Sequence, residues 1–231
     1  MGKKFFDEIE LFLFDMDGLL FDTETIYVEY GREVAKEMGY TITNEIIEKT
    51  TGLTDERARI IYKEELGQEF PYDEMMGTVK AHIFEKALKG EVPLKSGAEE
   101  ILKFLKSNNK QMVLATSSDL RMANALTEGK DVKKYFSHFI TAEDVTHGKP
   151  DPEVFLKGAE KAGVSPEKTV VFEDSFNGVR AAHAAGTFPI MVPDKLTPTE
   201  EIMKLVYKKF DNLSPVAAAA QRDRPDRHGR R

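Results

Sequence analysis

Two hydrophobic patterns alternate along this chain: short apolar runs, and longer stretches in which apolar residues recur at the helical period. The first run, Leu11-Phe12-Leu13-Phe14, has no polar interruption, as in a strand buried on both faces of a parallel sheet. Four more short runs after residue 110 predict strands over 112–115, 139–142, 169–172 and 189–192. Helical stretches separate these runs, so the pattern predicts an α/β fold, a parallel Rossmann-like sheet flanked by helices.

The segment between the first strand and residue 90 carries only the helical pattern. Apolar residues recur at helical spacing from Ile26, Thr43 can cap a second helix, and two more helices are predicted over 55–66 and 72–88. No stretch between residues 24 and 90 predicts a strand.

This pattern divides the chain into three parts. Residues 1–22 and 92–215 are predicted to form an α/β core domain that carries the active site, and residues 23–91 a helical cap domain. The helical block has two possible interpretations. It can be half of one continuous domain, or it can be a cap that moves over an active site at the sheet. From Ala217 onward the only apolar residues are alanines, and residues 216–231 are predicted to be a disordered tail.

Three helix starts in the second half of the chain are marked by capping sequences. Ser96 with Glu99, and Thr197 with Glu200, fit capping boxes in which the first residue is the N-cap. Asp151 fits an N-cap followed by a proline at the first helical position.

Polar side chains stand just past the predicted strands. Asp15 and Asp17 follow the first, Thr116, Ser117 and Ser118 the second, and Glu173 and Asp174 the fourth, while Lys149 lies in the loop after the third. The carboxyl ends of parallel strands share one edge of the sheet. Four carboxylates beside one lysine cannot all stay ionised without a cation, and oxygen ligands favour Mg²⁺. The hydroxyls, the lysine and the helix start near Ser118 suit a phosphate.

Each of these residues has a plain structural alternative. The Asp-x-Asp-Gly sequence from Asp15 can be a turn; a calcium loop would need glycine and glutamate where Leu20 and Ile26 stand. The hydroxyl, lysine and acidic residues of the later strands can be helix caps, a surface lysine and turn acids. Their joint position at strand ends favours a site.

Composition excludes several classes of function. The 231 residues include no cysteine, which excludes a disulfide framework, a zinc–thiolate site and a thiol nucleophile. This fits a reducing compartment, and we expect a cytoplasmic protein. The net charge of −7 argues against a nucleic-acid surface, and no apolar stretch approaches the roughly 20 residues of a membrane span. We expect a monomer whose partner is a small phosphorylated metabolite, with no nucleic acid and no membrane.

Four stretches together make the chain resemble the haloacid dehalogenase superfamily, in the group with a helical cap after the first strand. They are residues 15–24, 114–118, 148–152 and 172–186. Within that group, residues 15–24 and 191–194 are similar to sugar-phosphate phosphatases and pseudouridine-5′-phosphatase, and the group also includes β-phosphoglucomutase.

The resemblance implies a phosphotransfer enzyme. Asp15 would be the nucleophile that forms an aspartyl-phosphate. Asp17 would be the general acid that protonates the leaving oxygen and then the base that activates water. Thr116 and Ser117 would bind the phosphoryl oxygens, and Lys149 would balance charge on the nucleophile and the phosphoryl group.

The resemblance also implies Mg²⁺ as the cofactor. Asp15, Asp174 and the backbone carbonyl of Asp17 would bind the ion, and Glu173 would help directly or through a water molecule.

Two positions select among the activities of the superfamily. Its dehalogenases lack a second acid, so Asp17 favours phosphate chemistry. Its sugar-phosphate mutases carry a histidine a dozen residues after the nucleophile, where this chain has Tyr27. We therefore predict a Mg²⁺-dependent phosphatase acting on a small phosphate monoester, either a sugar phosphate or a nucleotide-like ester. The alternatives are a β-phosphoglucomutase-type mutase and, more distantly, a non-catalytic binding protein. Substrate choice is expected to depend on residues 51–54 and Arg57.

Overall fold

The computed structural model describes residues 3–221, in which strands and helices alternate as the sequence predicts. The strands are β1 Leu11–Phe14, β2 Gln111–Ala115, β3 His138–Ile140, β4 Thr169–Glu173, β5 Phe188–Met191 and β6 Lys208–Lys209. The helices are α1 Lys3–Glu8, α2 Thr23–Glu37, α3 Asn44–Thr50, α4 Asp55–Leu66, α5 Tyr72–Leu88, α6 Ala98–Ser107, α7 Leu120–Gly129, α8 Glu153–Ala162, α9 Phe176–Ala184, α10 Glu200–Leu205 and α11 Ser214–Gln221. Within this range no helix is both long enough and apolar enough to cross a bilayer.

The strands form one parallel sheet in the order β3-β2-β1-β4-β5-β6. Strand β1 lies in the middle, paired with β2 on one side and β4 on the other. The strand order reverses at β1, and ligands of open α/β sheets bind beside such a reversal at the carboxyl ends of the strands. The predicted α/β class with a parallel sheet is confirmed.

The unbroken apolar run of β1 is explained by burial on both faces of the sheet. Phe12 and Phe14 pack into one core with α6 and the aromatic ring of Phe172, while Leu11 and Leu13 pack into a second core under α8. Neighbouring residues of a strand point to opposite faces, so each face of β1 needs its own apolar set.

Helices α2 to α5 are the regular elements between residues 23 and 91, as predicted. Thr43 and Thr54 accept hydrogen bonds from the backbone N–H groups of Ile46 and Arg57, so they cap α3 and α4. Helices α2 and α5 pack along each other, and α5 also lies against α7.

The chain enters and leaves this helical block at one place. The N–H of Asp22 donates to the carbonyl of Pro93 at 2.9 Å, and the N–H of Lys95 donates to the carbonyl of Leu20 at 2.9 Å. Lys95 also contacts the carboxylate of Asp194, its Nζ lying 2.6 Å from Oδ1. The two crossings therefore form a short hydrogen-bonded ribbon.

The structure corrects several sequence predictions at the ends of elements. Gly97, with φ of +83°, precedes α6 in place of Ser96, whose Oγ instead lies 3.2 Å from the Oγ of Ser214. Thr199 rather than Thr197 caps α10, accepting from the N–H of Ile202. Thr199 has the extended backbone that a side-chain cap requires, and the sequence motif alone does not specify which residue adopts it.

Two further corrections concern where helices begin and the predicted tail. Asp151 accepts a hydrogen bond from the N–H of Glu153 at 2.9 Å, but α8 begins at Glu153, so Pro152 precedes the helix. Residues 214–221, predicted in part as a disordered tail over 216–231, form α11, and Val216 and Ala220 are buried in the core. The remainder of that predicted tail lies outside the described residues.

Candidate active site

The loop after β1 places Asp15 at the carboxyl edge of the sheet. Asp15 continues the pairing with β4, its N–H donating to the carbonyl of Phe172 at 3.1 Å, and the residue is only 7% exposed. The chain then turns at Gly18, whose φ is +77° and whose N–H donates to the carbonyl of Phe21. A Cβ at Gly18 would lie 2.4 Å from Oδ2 of Asp174, so the turn requires glycine for both its conformation and its space.

The carboxylate of Asp17 is held by two hydroxyl groups. Thr23 Oγ1 donates to Oδ1 at 2.8 Å, and Ser118 Oγ donates to Oδ2 at 2.7 Å. Thr23 begins α2 and Ser118 follows β2, so this side chain joins the first strand, the second strand and the start of the helical block. These two hydrogen bonds orient both oxygens of Asp17 beside the cavity described below.

Lys149 reaches the site from the loop before α8 and contacts two carboxylates. Its Nζ donates to Oδ1 of Asp15 and, at 2.6 Å, to Oε1 of Glu173. A weaker bond at 3.3 Å goes to the carbonyl of Ala115, and the ring of Phe155 lies 5.0 Å away. The side chain of Lys149 is 7% exposed, so this cation is buried between the two acids.

Glu173 is fixed from the other side by the turn into α9. Its Oε2 accepts from the N–H of Asp174, from the N–H of Ser175 and from Ser175 Oγ, at 3.0 to 3.1 Å. Ser175 Oγ also accepts from the N–H of Gly178, which caps the helix. A Cβ on Gly178 would lie 1.9 Å from Cδ of Glu173, so α9 packs directly on this carboxylate.

Three carboxylates converge where a metal ion could bind. Asp15, Glu173 and Asp174 each offer an oxygen, and these oxygens lie within 4.8 Å of one another.

Burial raises the pKa of Asp15 to about 8, although Lys149 opposes the shift, and burial together with Glu173 and Asp15 raises the pKa of Asp174. Burial alone would lower the pKa of Lys149, but the two carboxylates beside it raise it. One ammonium group therefore faces three acids, and this all-oxygen donor set fits a hard divalent cation such as Mg²⁺.

The residues after β2 provide hydroxyl and backbone groups beside the acids. The N–H of Thr116 donates to the carbonyl of Ile140, and its Oγ1 accepts from the N–H of Ser118 at 3.0 Å. Ser117 is exposed to the cavity. Asp119, rather than these residues, caps α7 by accepting from the N–H of Met122 at 2.7 Å. Helix capping therefore leaves Thr116 and Ser117 free to face the site.

These groups open into a cavity of about 570 Å³ that extends between the helices α2 to α5. All residues predicted for the site line it except Glu173, which is fully buried behind Lys149. Residues 51–54, on which substrate choice is expected to depend, also line the cavity. Arg57 is exposed and does not belong to the described lining.

Sequence reasoning did not identify several residues around this cavity. The sequence places Ser118 at a strand end near a helix start, but it does not predict that its hydroxyl donates to Asp17. Glu24 faces Asp17, and burial with the nearby acids raises the pKa of Glu24 to about 7. Asn177 on α9 connects the sheet-bearing part of the chain to the helical block, since its Nδ2 donates to the carbonyl of Gly52 at 3.3 Å. Glu24 belongs to the run that carried the resemblance, but the contact of Asn177 with the helical block has no signal in the sequence.

The site is therefore a buried acidic cluster with one lysine, at the carboxyl edge of a parallel sheet and under a helical block. Residues 12–192 match the family described as haloacid dehalogenase-like hydrolase. The chain belongs to this family, which confirms the resemblance seen in the sequence.

Known relatives cover most of the chain. The "Phosphorylated carbohydrates phosphatase" of Thermotoga maritima is 38% identical over 77% of this chain and 82% of its own. The Drosophila melanogaster protein named "Probable pseudouridine-5'-phosphatase" is 32% identical over 99% of this chain and 97% of its own. A Thermotoga maritima crystal structure described as "putative beta-phosphoglucomutase" superposes with a TM-score of 0.75 at 31% identity, covering 91% of this chain and 97% of that one.

Proposed function

We propose that this protein is a Mg²⁺-dependent phosphatase that hydrolyses a small phosphate monoester through an aspartyl-phosphate on Asp15. The single observation that carries the proposal is the convergence of Asp15, Glu173 and Asp174 within 4.8 Å, beside the buried ammonium of Lys149 and next to the cavity. Membership in a hydrolase family and the phosphatase names of its relatives support the same reaction class.

In the first step, a carboxylate oxygen of Asp15 would form a bond to phosphorus while the bond from phosphorus to the ester oxygen breaks. Asp17 would donate its proton to that leaving oxygen, which departs as an alcohol. In the second step a water oxygen would attack phosphorus, and Asp17 would take the water proton as inorganic phosphate leaves and Asp15 is restored. The hydroxyls of Thr23 and Ser118 suit this role of Asp17 because they orient both of its oxygens.

Lys149, Thr116 and Ser117 would bind the phosphoryl oxygens. Lys149 would offset the negative charge shared by Asp15 and the phosphoryl group, and the hydroxyls would position that group in line with the attacking oxygen. Such positioning and charge neutralisation supply most of the rate enhancement in phosphoryl transfer.

Mg²⁺ would be held by Asp15, Asp174 and the backbone carbonyl of Asp17. When bound, the ion would neutralise charge that develops on the phosphoryl oxygens. The carboxylate of Asp17 faces two hydroxyl donors, which agrees with a contribution from its backbone rather than its side chain. The oxygens of Glu173 already accept from Lys149 and from the turn into α9, so Glu173 would act chiefly by positioning Lys149 and only through water on the ion.

The substrate would be a small phosphorylated metabolite, since the relatives named above include a phosphatase of phosphorylated carbohydrates and one of a nucleotide. The helical block of residues 23–91 would act as a cap that encloses it. The monomeric state and the cytoplasmic location remain predictions.

The decisive experiment measures hydrolysis of p-nitrophenyl phosphate with and without Mg²⁺ for the wild type and Asp15→Asn. We expect Mg²⁺-dependent turnover that falls by on the order of 10³-fold or more in the variant, because the amide cannot act as the nucleophile. Turnover near the wild-type rate in Asp15→Asn would show that the nucleophile assignment is wrong.

A mutase is the second candidate, and the crystal structure described as a β-phosphoglucomutase is the observation that favours it. Tyr27, at the position of the mutase histidine, lines the cavity, which argues for hydrolysis. A coupled assay for conversion of β-glucose 1-phosphate to glucose 6-phosphate, with a bisphosphate activator, separates the two activities. A broad panel of phosphate esters without any Mg²⁺-dependent turnover would instead favour a non-catalytic binding protein.

A further inference from the structure

The side of the cavity formed by the helical block is largely apolar. It is lined by side chains of α2, α3, α4 and α5, among which we define the cap wall as Tyr27, Val28, Ile47, Tyr62, Tyr72 and Met76. Tyr27, Ile47 and Met76 are partly exposed and pack against the main core, so they present apolar surface to the cavity. Tyr62 and Tyr72 are nearly buried behind them. The ring of Tyr27, the thioether of Met76 and the aliphatic side chains of Val28 and Ile47 therefore form the exposed part of this wall.

Two threonine hydroxyls beside the cap wall already donate hydrogen bonds within the protein. Thr50 Oγ1 donates to the carbonyl of Ile46 at 2.8 Å, and Thr51 Oγ1 donates to the carbonyl of Ile47 at 2.7 Å. A polyol placed against this wall would give up its hydrogen bonds to water and regain few from the protein, which disfavours its binding.

Charged groups at the rim of the cavity are also engaged. Lys80 Nζ lies 2.8 Å from Oδ2 of Asp55, and Lys195 Nζ donates to Oγ1 of Thr25 at 3.0 Å. These contacts leave the phosphate end, with Lys149, as the main polar part of the cavity. A ligand that fits would be polar at one end and apolar at the other.

We infer that the leaving alcohol of the substrate carries a planar aromatic or heteroaromatic ring that packs against the cap wall. This inference rests on the proposed function, since it concerns the ester whose phosphoryl group reaches Asp15. Aromatic rings stack favourably on tyrosine and make favourable contacts with the sulfur of methionine, so the ring of Tyr27 and the thioether of Met76 favour a flat ring over a saturated one. The cavity volume of about 570 Å³ accommodates such a ring together with the phosphate.

A series of four phosphate esters tests the inference. Benzyl phosphate, uridine 5′-monophosphate, cyclohexylmethyl phosphate and glucose 6-phosphate all release a primary alcohol, so their intrinsic reactivity is similar and differences report binding in the cavity. Benzyl phosphate and uridine 5′-monophosphate are the two ring esters, because only they carry a planar ring. We expect their kcat/KM to exceed that of glucose 6-phosphate by about tenfold or more, and that of the cyclohexylmethyl ester to lie between the two levels. The order of the two ring esters tells whether the ring belongs to a simple aryl alcohol or to a nucleoside, and either order supports the inference.

The Met76→Gln variant locates the effect, because it keeps the length of the side chain and replaces the thioether by a polar amide. It should reduce the preference for benzyl phosphate over glucose 6-phosphate about threefold or more, through a higher KM for the benzyl ester. Met203→Gln is the matched control, since Met203 is an exposed methionine on α10 outside the cavity lining, and its preference should equal that of the wild type.

Three results would overturn the inference while leaving the proposed function in place. They are a kcat/KM for glucose 6-phosphate at or above that of both ring esters, equal values for the benzyl and cyclohexylmethyl esters, and an unchanged preference in Met76→Gln. Lack of turnover of every ester, including p-nitrophenyl phosphate, would instead refute the proposed function and the inference together.

Discussion

Substitution of Gly178 by alanine tests whether Glu173 positions Lys149. The added Cβ would lie 1.9 Å from Cδ of Glu173, so the carboxylate or the helix must move by about 1.5 Å to reach the 3.4 Å of ordinary contact. Glu173 cannot move freely, because it accepts from Lys149 at 2.6 Å and from the N–H groups of Asp174 and Ser175 at 3.1 Å. Each bond to a charged group is worth roughly 1.5–3 kcal/mol, and overpacking costs roughly 1–3 kcal/mol.

We therefore expect Gly178→Ala to lower the free energy of unfolding by about 2–4 kcal/mol, which corresponds to a fall in Tm of about 5–15 °C for a chain of this size. A displaced Lys149 should also lower kcat, on the order of 10²-fold, since misplacement by about 1 Å can cost that much. Urea unfolding and steady-state hydrolysis of p-nitrophenyl phosphate measure the two effects on the same protein.

Gly77→Ala is the matched control, because it makes the same chemical change in a helix where nothing lies within 4 Å of the added Cβ. That variant should gain about 0.5–1 kcal/mol of stability and keep its activity, since alanine favours the helix over glycine. A Gly178→Ala protein as stable and as active as Gly77→Ala would refute the assignment of Glu173 as the positioning residue.

Four further predictions concern the charged and hydroxyl groups of the site. Without divalent cations, the free energy of unfolding should fall as the pH rises from about 4 to about 8, because the raised pKa values of Asp15 and Asp174 let the folded state hold more protons than the unfolded chain in that window. Mg²⁺ at about ten times its Kd should restore about 1.4 kcal/mol, or roughly 3–6 °C in Tm, at pH 8 and less at pH 5, as differential scanning fluorimetry can show. Ser118→Ala should lower kcat by about threefold to tenfold, because Asp17 keeps only one of its two hydroxyl donors. Lys149→Met should lower kcat by on the order of 10²-fold or more and, in chemical unfolding without Mg²⁺, destabilise the fold by about 3–5 kcal/mol, because it leaves buried acids without their cation.

The pH, serine and lysine predictions can each be contradicted by one result. Stability that is flat or rising between pH 4 and 8 in metal-free protein would show that the acids are not destabilised by their burial. For the serine, Ser107→Ala on the far end of α6 is the control, and equal rates in the two variants would mean that Asp17 does not need Ser118. A Lys149→Met protein with wild-type turnover would remove Lys149 from the proposed mechanism.

The parts of the fold that could be predicted from the sequence are those with strong local patterns. Strand β1 was evident because both of its faces are buried, so all four residues had to be apolar. Strand β6 cannot be predicted from the sequence, because Lys208 and Lys209 have no apolar pattern. It is defined by its pairing with β5. The sequence does not predict helix α11, because a run of alanines carries little hydrophobic signal, yet Val216 and Ala220 are buried against neighbouring elements.

The candidate site shows the same division. Asp15 and Asp174 could be placed together because parallel strands bring their carboxyl ends to one edge, which is a property of the fold class. Their hydrogen-bonding partners could not be predicted, because the bond from Ser118 to Asp17 and the packing of Gly178 on Glu173 depend on distances of a few ångströms. The cap wall also lay beyond the sequence, since residues of four separate helices form it and no local spacing relates them.

The ribbon that joins the helical block to the sheet has a consequence for how such proteins diversify. Because the N–H of Asp22 lies 2.9 Å from the carbonyl of Pro93, the chain returns to the point from which it departed. A segment with adjoining ends can be lengthened, shortened or exchanged for another without rethreading the strands, as in other tolerated insertions. Evolution can thus change the substrate by exchanging the helical block. The carboxylates and the lysine of the sheet edge keep their positions when it does.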